Sequence, residues 1–427
     1  MKVLNNPPSS LWSELVKRPQ LELEFLESSV RNTLTRVKLS GDRALHELTL
    51  QFDGVSIENI SVSQKEIEDA ISSLDNSLKK AIYIAAENIR AFHSKQKREV
   101  LTVETMPGVT CWRKSVPIQK IGIYIPGGTA PLFSTVLMLA IPASLAGCDE
   151  IILCTPPNKD GSINPAILFA ASISGIKKIF KVGGSQAIAA MAYGTQTIPP
   201  VYKIFGPGNQ FVTKAKQMIS QEGIAIDMPA GPSEVMVIAD ETADSSFIAA
   251  DLLSQAEHGT DSQVVLLSLS ESKIAEVQKE MKDQLQTLPR KEIAEKALLN
   301  SLSIYFPSKE TALEFTNAYA PEHLIINTQD CDILSEKVLN AGSVFLGAYS
   351  PEAIGDYASG TNHTLPTNGF AKAYSGVSLE SFSKMITYQK LTREGMSLLG
   401  PSVELMAEAE QLIGHKQAVS VRLKKIK

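Results

Sequence analysis

The sequence predicts an α/β protein built on two open, mostly parallel sheets flanked by helices, with small helical extensions at its N- and C-terminal ends. From Lys120 onward, short apolar runs recur roughly 25–30 residues apart with helical stretches between them, the spacing of strand–helix–strand units in a parallel sheet. The 427 residues, 44% apolar and 20% charged, are too many for one small core and ample for two buried sheets.

The first quarter reads as helical. Leu21–Lys38 has helical periodicity, and Ser40-Gly41-Asp42 starts a second helix running to Phe52. Ser63 and Glu66 form a capping box, followed by a long helix from Asp75 to Lys95. Glu99–Glu104 and Val109–Pro117, flanking Pro107-Gly108, suggest a hairpin. Strands of the first α/β run are expected at Ile121–Ile125, Ile151–Cys154, Ile179–Val182 and Lys203–Phe205, with helices at Phe133–Ala146, Ala166–Ser174 and Gln186–Tyr193. The run ends near Met228-Pro229. A second has strands at Val235–Ala239, Val264–Ser268, Ser303–Phe306, Leu324–Asn327 and Val344–Leu346, with helices at Ser245–His258, Ser270–Gln286 and Lys309–Tyr319. Past Tyr374 the chain reads as helical again, Thr392–Ile413 being the longest stretch.

A net charge of −5 argues against a general nucleic-acid binder, and the basic spots Lys95–Arg98 and Arg422–Lys427 are short enough to be solvated. Met1–Leu15 is polar and carries Pro7-Pro8, unlike a secretory signal. The apolar run Val136–Ile141 is broken by Pro142 and too short to span a bilayer. Cys111, Cys148, Cys154 and Cys331 show no CxxC spacing, which fits a reducing, cytoplasmic setting.

Three glycine-rich turns follow strands of the first run: Pro126-Gly127-Gly128, Gly183-Gly184 and Gly206-Pro207-Gly208-Asn209. Each precedes a helix whose N-terminus favours anions, so together they point to a nucleotide or phosphate crevice. Gly206–Phe211 departs from GxGxxG, which makes the sheets Rossmann-like but incomplete. Of six histidines, His46 and His93 stand apart as surface or packing residues. His258, His323, His363 and His415 each end a polar, turn-punctuated stretch. Gln255 and His258, in DLLSQAEHG, sit at i and i+3 of a helix that Gly259 is expected to terminate. Glu257 beside them reads as solvated. Glu322-His323 opens a strand, where two adjacent titratable groups can serve different steps of one reaction. Asp356 and His363 flank a loop that could fold both inward. Glu410 and His415 lie about 140° apart around an ideal helix, which Gly414 is expected to break. Gln, His, Asp and His make an N/O ligand set suited to zinc or another divalent ion of intermediate softness.

These residues fall in motifs that closely resemble the histidinol dehydrogenase family: GIYIPGGTAPLFSTVLMLAIPASLAGC, VGGSQAIAAMAYGT, KIFGPGNQFVTKAK, DMPAGPSEVMVIAD, DLLSQAEHG, APEHL and NHTLPT. The likeness runs from about residue 20 to about residue 420 in the family's order and spacing. It implies oxidation of L-histidinol through bound L-histidinal to L-histidine with two NAD+, the last steps of histidine biosynthesis. It implies Gln255, His258, Asp356 and His415 as zinc ligands, the last supplied by the other subunit of a homodimer. His323 would be the general base and Glu322 the activator of water. Ser233, His363 and Glu410 would contact substrate, as would His323 and the four ligands, and Tyr124, Gln186 and Asn209 would contact the dinucleotide. The expected domains are an N-terminal extension (1–22), a metal- and substrate-binding domain (23–112 with 232–373), an NAD-binding domain (113–231) and a C-terminal extension packed on the partner subunit (374–427). No nucleic-acid or membrane partner is expected.

Other chemistries compete with this reading. A zinc hydrolase using Glu322 as base would leave the glycine turns idle, and a binding protein would not need an imidazole–carboxylate pair beside a ligand set. A cysteine nucleophile is a further route to aldehyde oxidation, but Cys148 and Cys154 adjoin no histidine or base and read as packing thiols.

Overall fold

The computed structural model describes residues 1–18, 23–127, 130–229 and 231–426; Leu21, Gly128, Thr129, Ala230 and Lys427, on which parts of the sequence reading fall, lie outside them. Two parallel sheets organise the chain. The first places Lys120–Tyr124 at its centre, Glu150–Thr155 and then Lys178–Lys181 on one side, and Lys203–Phe205 and then Ala225–Ile226 on the other. The second repeats this order. Glu234–Ala239 is central, flanked by Gln263–Ser268 and Leu302–Tyr305 on one side and by His323–Asn327 and Ser343–Leu346 on the other. The strand segments EVMVIA and QVVLLS are buried along their whole length, as parallel strands covered on both faces must be. The shared order is invisible as a sequence repeat because each sheet asks only for apolar strands, which many sequences supply.

Packing groups the segments differently from the expected domains at two places, and a third difference is one of secondary structure. The N-terminal helices join the first sheet, rather than grouping with 232–373. Ile67, Ile82 and Ile89 share a core with Ile121, Val136 and Leu153 on one face. Val30, Leu34 and Leu45 pack with Ile188 and Ile204 on the other. These helices present apolar stripes, and the first sheet has open apolar faces that would otherwise meet water. The segment expected as an N-terminal extension is part of the second sheet. Lys2–Asn5 pairs in parallel with Leu302–Tyr305 and forms its edge, and Trp12 packs edge-on to Phe306 and Phe315.

The third difference lies past Tyr374, where Ser383–Leu391 is a strand. It pairs antiparallel with Val109–Pro117, which also pairs with Thr102–Met106 in a small three-stranded sheet. No residue of Ser383–Leu391 is buried, so the alternation that announces a half-buried strand is missing from its sequence. Two helices follow, Arg393–Ala409 and Ile413–Ile426. They are separated at Gln411, which takes a left-handed φ of 59°, while Gly414 sits inside the second helix. The expected capping box is present, with Glu66 accepting from the Ser63 N–H at 2.8 Å. Among the described residues no helix is long and apolar enough to cross a membrane.

Candidate active site

The two sheets contribute opposite ends to one region. From the first come the turns after the carboxyl ends of its strands; from the second come the amino ends of its two inner strands. Their junction is visible at a hydrogen bond between Thr135 Oγ1 and His363 Nε2 at 2.9 Å. Thr135 lies in the Phe133–Ala146 helix, which follows the central strand of the first sheet.

On the second sheet, the backbone of Glu234 is the meeting point. Its N–H donates to Glu322 Oε2 at 2.8 Å, and its carbonyl faces His323 Nδ1 at 3.2 Å. Glu322 lies just outside the strand His323–Asn327, so strict alternation does not separate the pair. Glu322 Oε2 and His323 Nδ1 are 3.7 Å apart and both side chains are buried. Because Nδ1 faces a carbonyl it carries a proton, which leaves Nε2 as the exchangeable position. Nε2 lies 3.2 Å from Asp356 Oδ1. Asp356 also ties in His363, whose Nδ1 donates to its carbonyl at 2.7 Å. With Nδ1 protonated, a neutral His363 accepts from the Thr135 hydroxyl through Nε2.

Electrostatics follow from burial and crowding. Burial pushes the Glu322 carboxyl up to about 8, against the pull of His323 and the Glu234 N–H. Burial alone would lower His323, but Glu352, Glu322 and Asp356 outweigh it and hold its pKa well above the usual imidazole range. Burial would raise Asp356, yet the bond to His323 keeps it below the ordinary carboxylate value. Desolvation lowers His258 and His363, in each case opposed by Asp356.

Gln255, buried in the Ser245–Ala256 helix, has its amide orientation assigned by its neighbours: turned so that Nε2 faces the carboxylate, it donates to Glu352 Oε1, and its Oε1 accepts from the Glu234 N–H at 3.1 Å. The helix ends at Ala256, three residues before Gly259, and His258 therefore stands in the turn beyond it, its ring crowded by the cluster although part of the residue reaches the surface. Gln255, His258 and Asp356 border this cluster, His258 within electrostatic reach of Asp356, His323 and His363 and Gln255 beside Glu352. As an amide, an imidazole and a carboxylate they fit zinc as N/O donors. Among the described residues no three of His, Cys, Asp and Glu in one chain could hold a metal ion by themselves. Glu410 and His415 do not join the cluster. Both are exposed on the C-terminal helices, which pack chiefly on each other. Ser233 is half-buried, directly before Glu234.

Along the first sheet lies a cleft of about 770 Å³ lined by Tyr124, Gln186 and Asn209. Tyr124 binds the turns together: its hydroxyl accepts from Gly184 N at 3.0 Å, and a Cβ on Gly206 (φ 128°) would stand 2.0 Å from its carbonyl oxygen. Glycine is required there. Gln186 is buried with neither amide atom hydrogen-bonded, which leaves a donor and an acceptor for a ligand. Asn209 caps the Gln210–Gln221 helix, Oδ1 accepting from Phe211 N at 3.1 Å and Val212 N at 3.2 Å, so only its NH2 remains free for a cofactor.

Glu234, Glu352, Thr135 and Arg18 also shape the site, although none stands among the residues expected there from the sequence. Glu352 had a signal, standing one helical turn before Asp356. Thr135 had none, being a small polar residue in an apolar helix. The cysteines behave as packing thiols: all four are free, burial pushes Cys148 up to about 12, and fully buried Cys154 is raised further. A Cys148→Ala, Cys154→Ala double variant is expected to turn over within about twofold of wild type in a steady-state assay, since neither thiol can ionise near neutral pH.

The family model described as Histidinol dehydrogenase matches residues 16–423. A protein of Bacteroides fragilis YCH46 named Histidinol dehydrogenase is 60% identical over the full length of both chains. One of that name from Campylobacter jejuni RM1221 is 50% identical, covering 100% of this chain and 99% of its own. The crystal structure of histidinol dehydrogenase from Elizabethkingia anophelis superposes with a TM-score of 0.98 at 55% identity, covering 100% of this chain and 98% of that one.

Proposed function

Because the chain belongs to the histidinol dehydrogenase family, we propose that the cluster around the Glu234 backbone oxidises L-histidinol and that the adjoining cleft holds the dinucleotide. The enzyme is an NAD-dependent oxidoreductase acting on a CH–OH group in histidine biosynthesis, and it takes L-histidinol through L-histidinal to L-histidine with two NAD+. The observation that carries the site reading is the His323 imidazole, fixed at Nδ1 by the Glu234 carbonyl, with Glu322 and Asp356 on either side.

In the first oxidation His323 takes the alcohol proton at Nε2 as hydride leaves for NAD+. Its acidic surroundings favour proton uptake, so abstraction is downhill once the ring is neutral. In the second, Glu322 draws a proton from water as it adds to the aldehyde, and the hydrate loses its hydride to a second NAD+, with His323 again accepting the hydroxyl proton. His363, locked between Thr135 and the Asp356 carbonyl, fixes Asp356 and the substrate side of the junction. Ser233 and, brought by a second copy together with His415, Glu410 are the remaining substrate contacts in this reading. Zinc held by Gln255, His258, Asp356 and His415 of a second copy would supply a template orienting the substrate's imidazole and amine.

The homodimer is supported by the C-terminal helices, where Leu405, Met406, Leu412 and Ile413 are exposed and so available to a second copy. Cytoplasmic residence is supported by the free thiols. NADH absorbance should grow only when L-histidinol and NAD+ are both present; L-histidinol consumed without NADH would overturn the reading in favour of another chemistry. A site shared between copies makes a further prediction. His415→Ala and His323→Ala variants, each expected to be inactive alone, should regain activity when refolded together, since a mixed dimer keeps one complete site. A mixture as inactive as its parts would show that His415 does not cross from one copy to the other.

A further inference from the structure

The dinucleotide cleft contains a carboxylate with no visible purpose. Asp53 ends the Asp42–Asp53 helix, which packs against the Gly184–Tyr193 helix and so brings a residue from outside the sheet into the cleft wall. Its Oδ2 is buried and has no hydrogen-bond partner. Among the described residues lining the cleft, Asp53 is the one acid and Lys159 the one base. Burial raises the Asp53 carboxyl to about 6, which still leaves it largely ionised above neutrality. A buried acceptor without a donor costs stability. Such a group is retained where a ligand brings the donor.

The chemistry of the donor is constrained. A carboxylate repels phosphate, so the cofactor's pyrophosphate belongs with the helix N-termini at Gly184 and Gln210 and with Lys159. The neutral donors of a dinucleotide are its ribose hydroxyls and amino groups. A vicinal diol presents two O–H groups at the spacing of two carboxylate oxygens, the pairing by which acids at dinucleotide sites select a ribose. We propose that Asp53 receives the adenosine ribose diol of NAD+ and, through its charge, excludes a cofactor phosphorylated at the 2′ position. This rests on the cofactor reading of the cleft given above.

The test uses the full-length enzyme with L-histidinol and either NAD+ or NADP+, comparing wild type with Asp53→Ala, Asp53→Asn and Gln186→Ala. Asp53→Ala should raise the KM for NAD+ by about 10- to 100-fold, as expected for loss of hydrogen bonds to a charged group. Asp53→Asn, of the same shape but neutral, should shift preference toward NADP+ by about tenfold or more, with Lys159 available to the added phosphate. The KM for L-histidinol should stay in place. If Gln186→Ala weakens NAD+ while neither Asp53 variant does, the ribose contact is overturned and the cleft assignment stands. If none of the three changes NAD+ binding, the cleft assignment itself falls. Equal losses for NAD+ and NADP+ in both Asp53 variants would overturn the charge-based exclusion.

Discussion

Glu322→Gln is expected to slow oxidation of L-histidinal by about 100- to 10,000-fold, the range for loss of a general base, and to slow oxidation of L-histidinol far less. The two steps ask different things of the site. The first needs a proton acceptor for a hydroxyl already on the substrate, which His323 provides. The second needs water made nucleophilic, and the glutamine amide cannot take its proton. The oxygen of that amide can still accept from the Glu234 N–H, so the hydrogen bond that seats the side chain survives. Stability follows the same logic. A carboxyl whose pKa rises from its ordinary value to about 8 on folding loses stability as pH climbs between those values, because the folded state keeps a proton the unfolded chain has released. The amide removes that loss, and the variant should melt no lower than wild type at mildly alkaline pH. In wild type, the aldehyde step should accelerate as pH rises through about 8, where Glu322 becomes ionised. Single-turnover measurements with each substrate separate the steps. Equal loss in both would end the proposed division of labour.

How much of this was legible beforehand depends on what each residue's role leaves in the sequence. Strands such as Val235–Ala239 are legible because burial on both faces demands an unbroken apolar run. The glycine turns are legible because close backbone approach excludes side chains, as Tyr124 does at Gly206. Ser383–Leu391 is illegible because its pairing is backbone-made and its side chains stay exposed. Gln255 and His258 drew attention as polar groups at a helix end, although the helix stops at Ala256 and their approach owes as much to the following turn. Glu234 escaped notice for a deeper reason. Its backbone, which any residue provides, seats Glu322 and His323, and its side chain meets Arg18 across 216 residues of chain. Local sequence records neither.

That long-range pair gives the second large effect. Arg18 grips Glu234 with two parallel bonds, Nε to Oε1 at 2.9 Å and Nη2 to Oε2 at 2.8 Å, both side chains being buried. The guanidinium lies 3.5 Å from the centre of the Tyr319 ring and also donates to the carbonyls of Val16 and Tyr319. The Asn368 N–H adds a third donor to Glu234, at 2.7 Å. Arg18→Ala removes the counter-charge and leaves a carboxylate in a place built for an ion pair. Breaking such a pair from one side costs about 3–5 kcal/mol, and denaturant unfolding should register a loss of that order. Activity should fall as well, since strain at Glu234 is passed through its N–H and carbonyl to Glu322 and His323. Arg18→Lys keeps the charge but not the fork, and should recover part of the stability and less of the kcat. Arg18→Met with Glu234→Gln provides the separation: pairing two neutral side chains relieves the buried charge and restores stability. If kcat returns fully with it, the ion pair serves folding alone. If kcat stays depressed in a protein that unfolds like wild type, Arg18 and Glu234 are positioning residues, holding from behind the strand segment on which the dyad is seated.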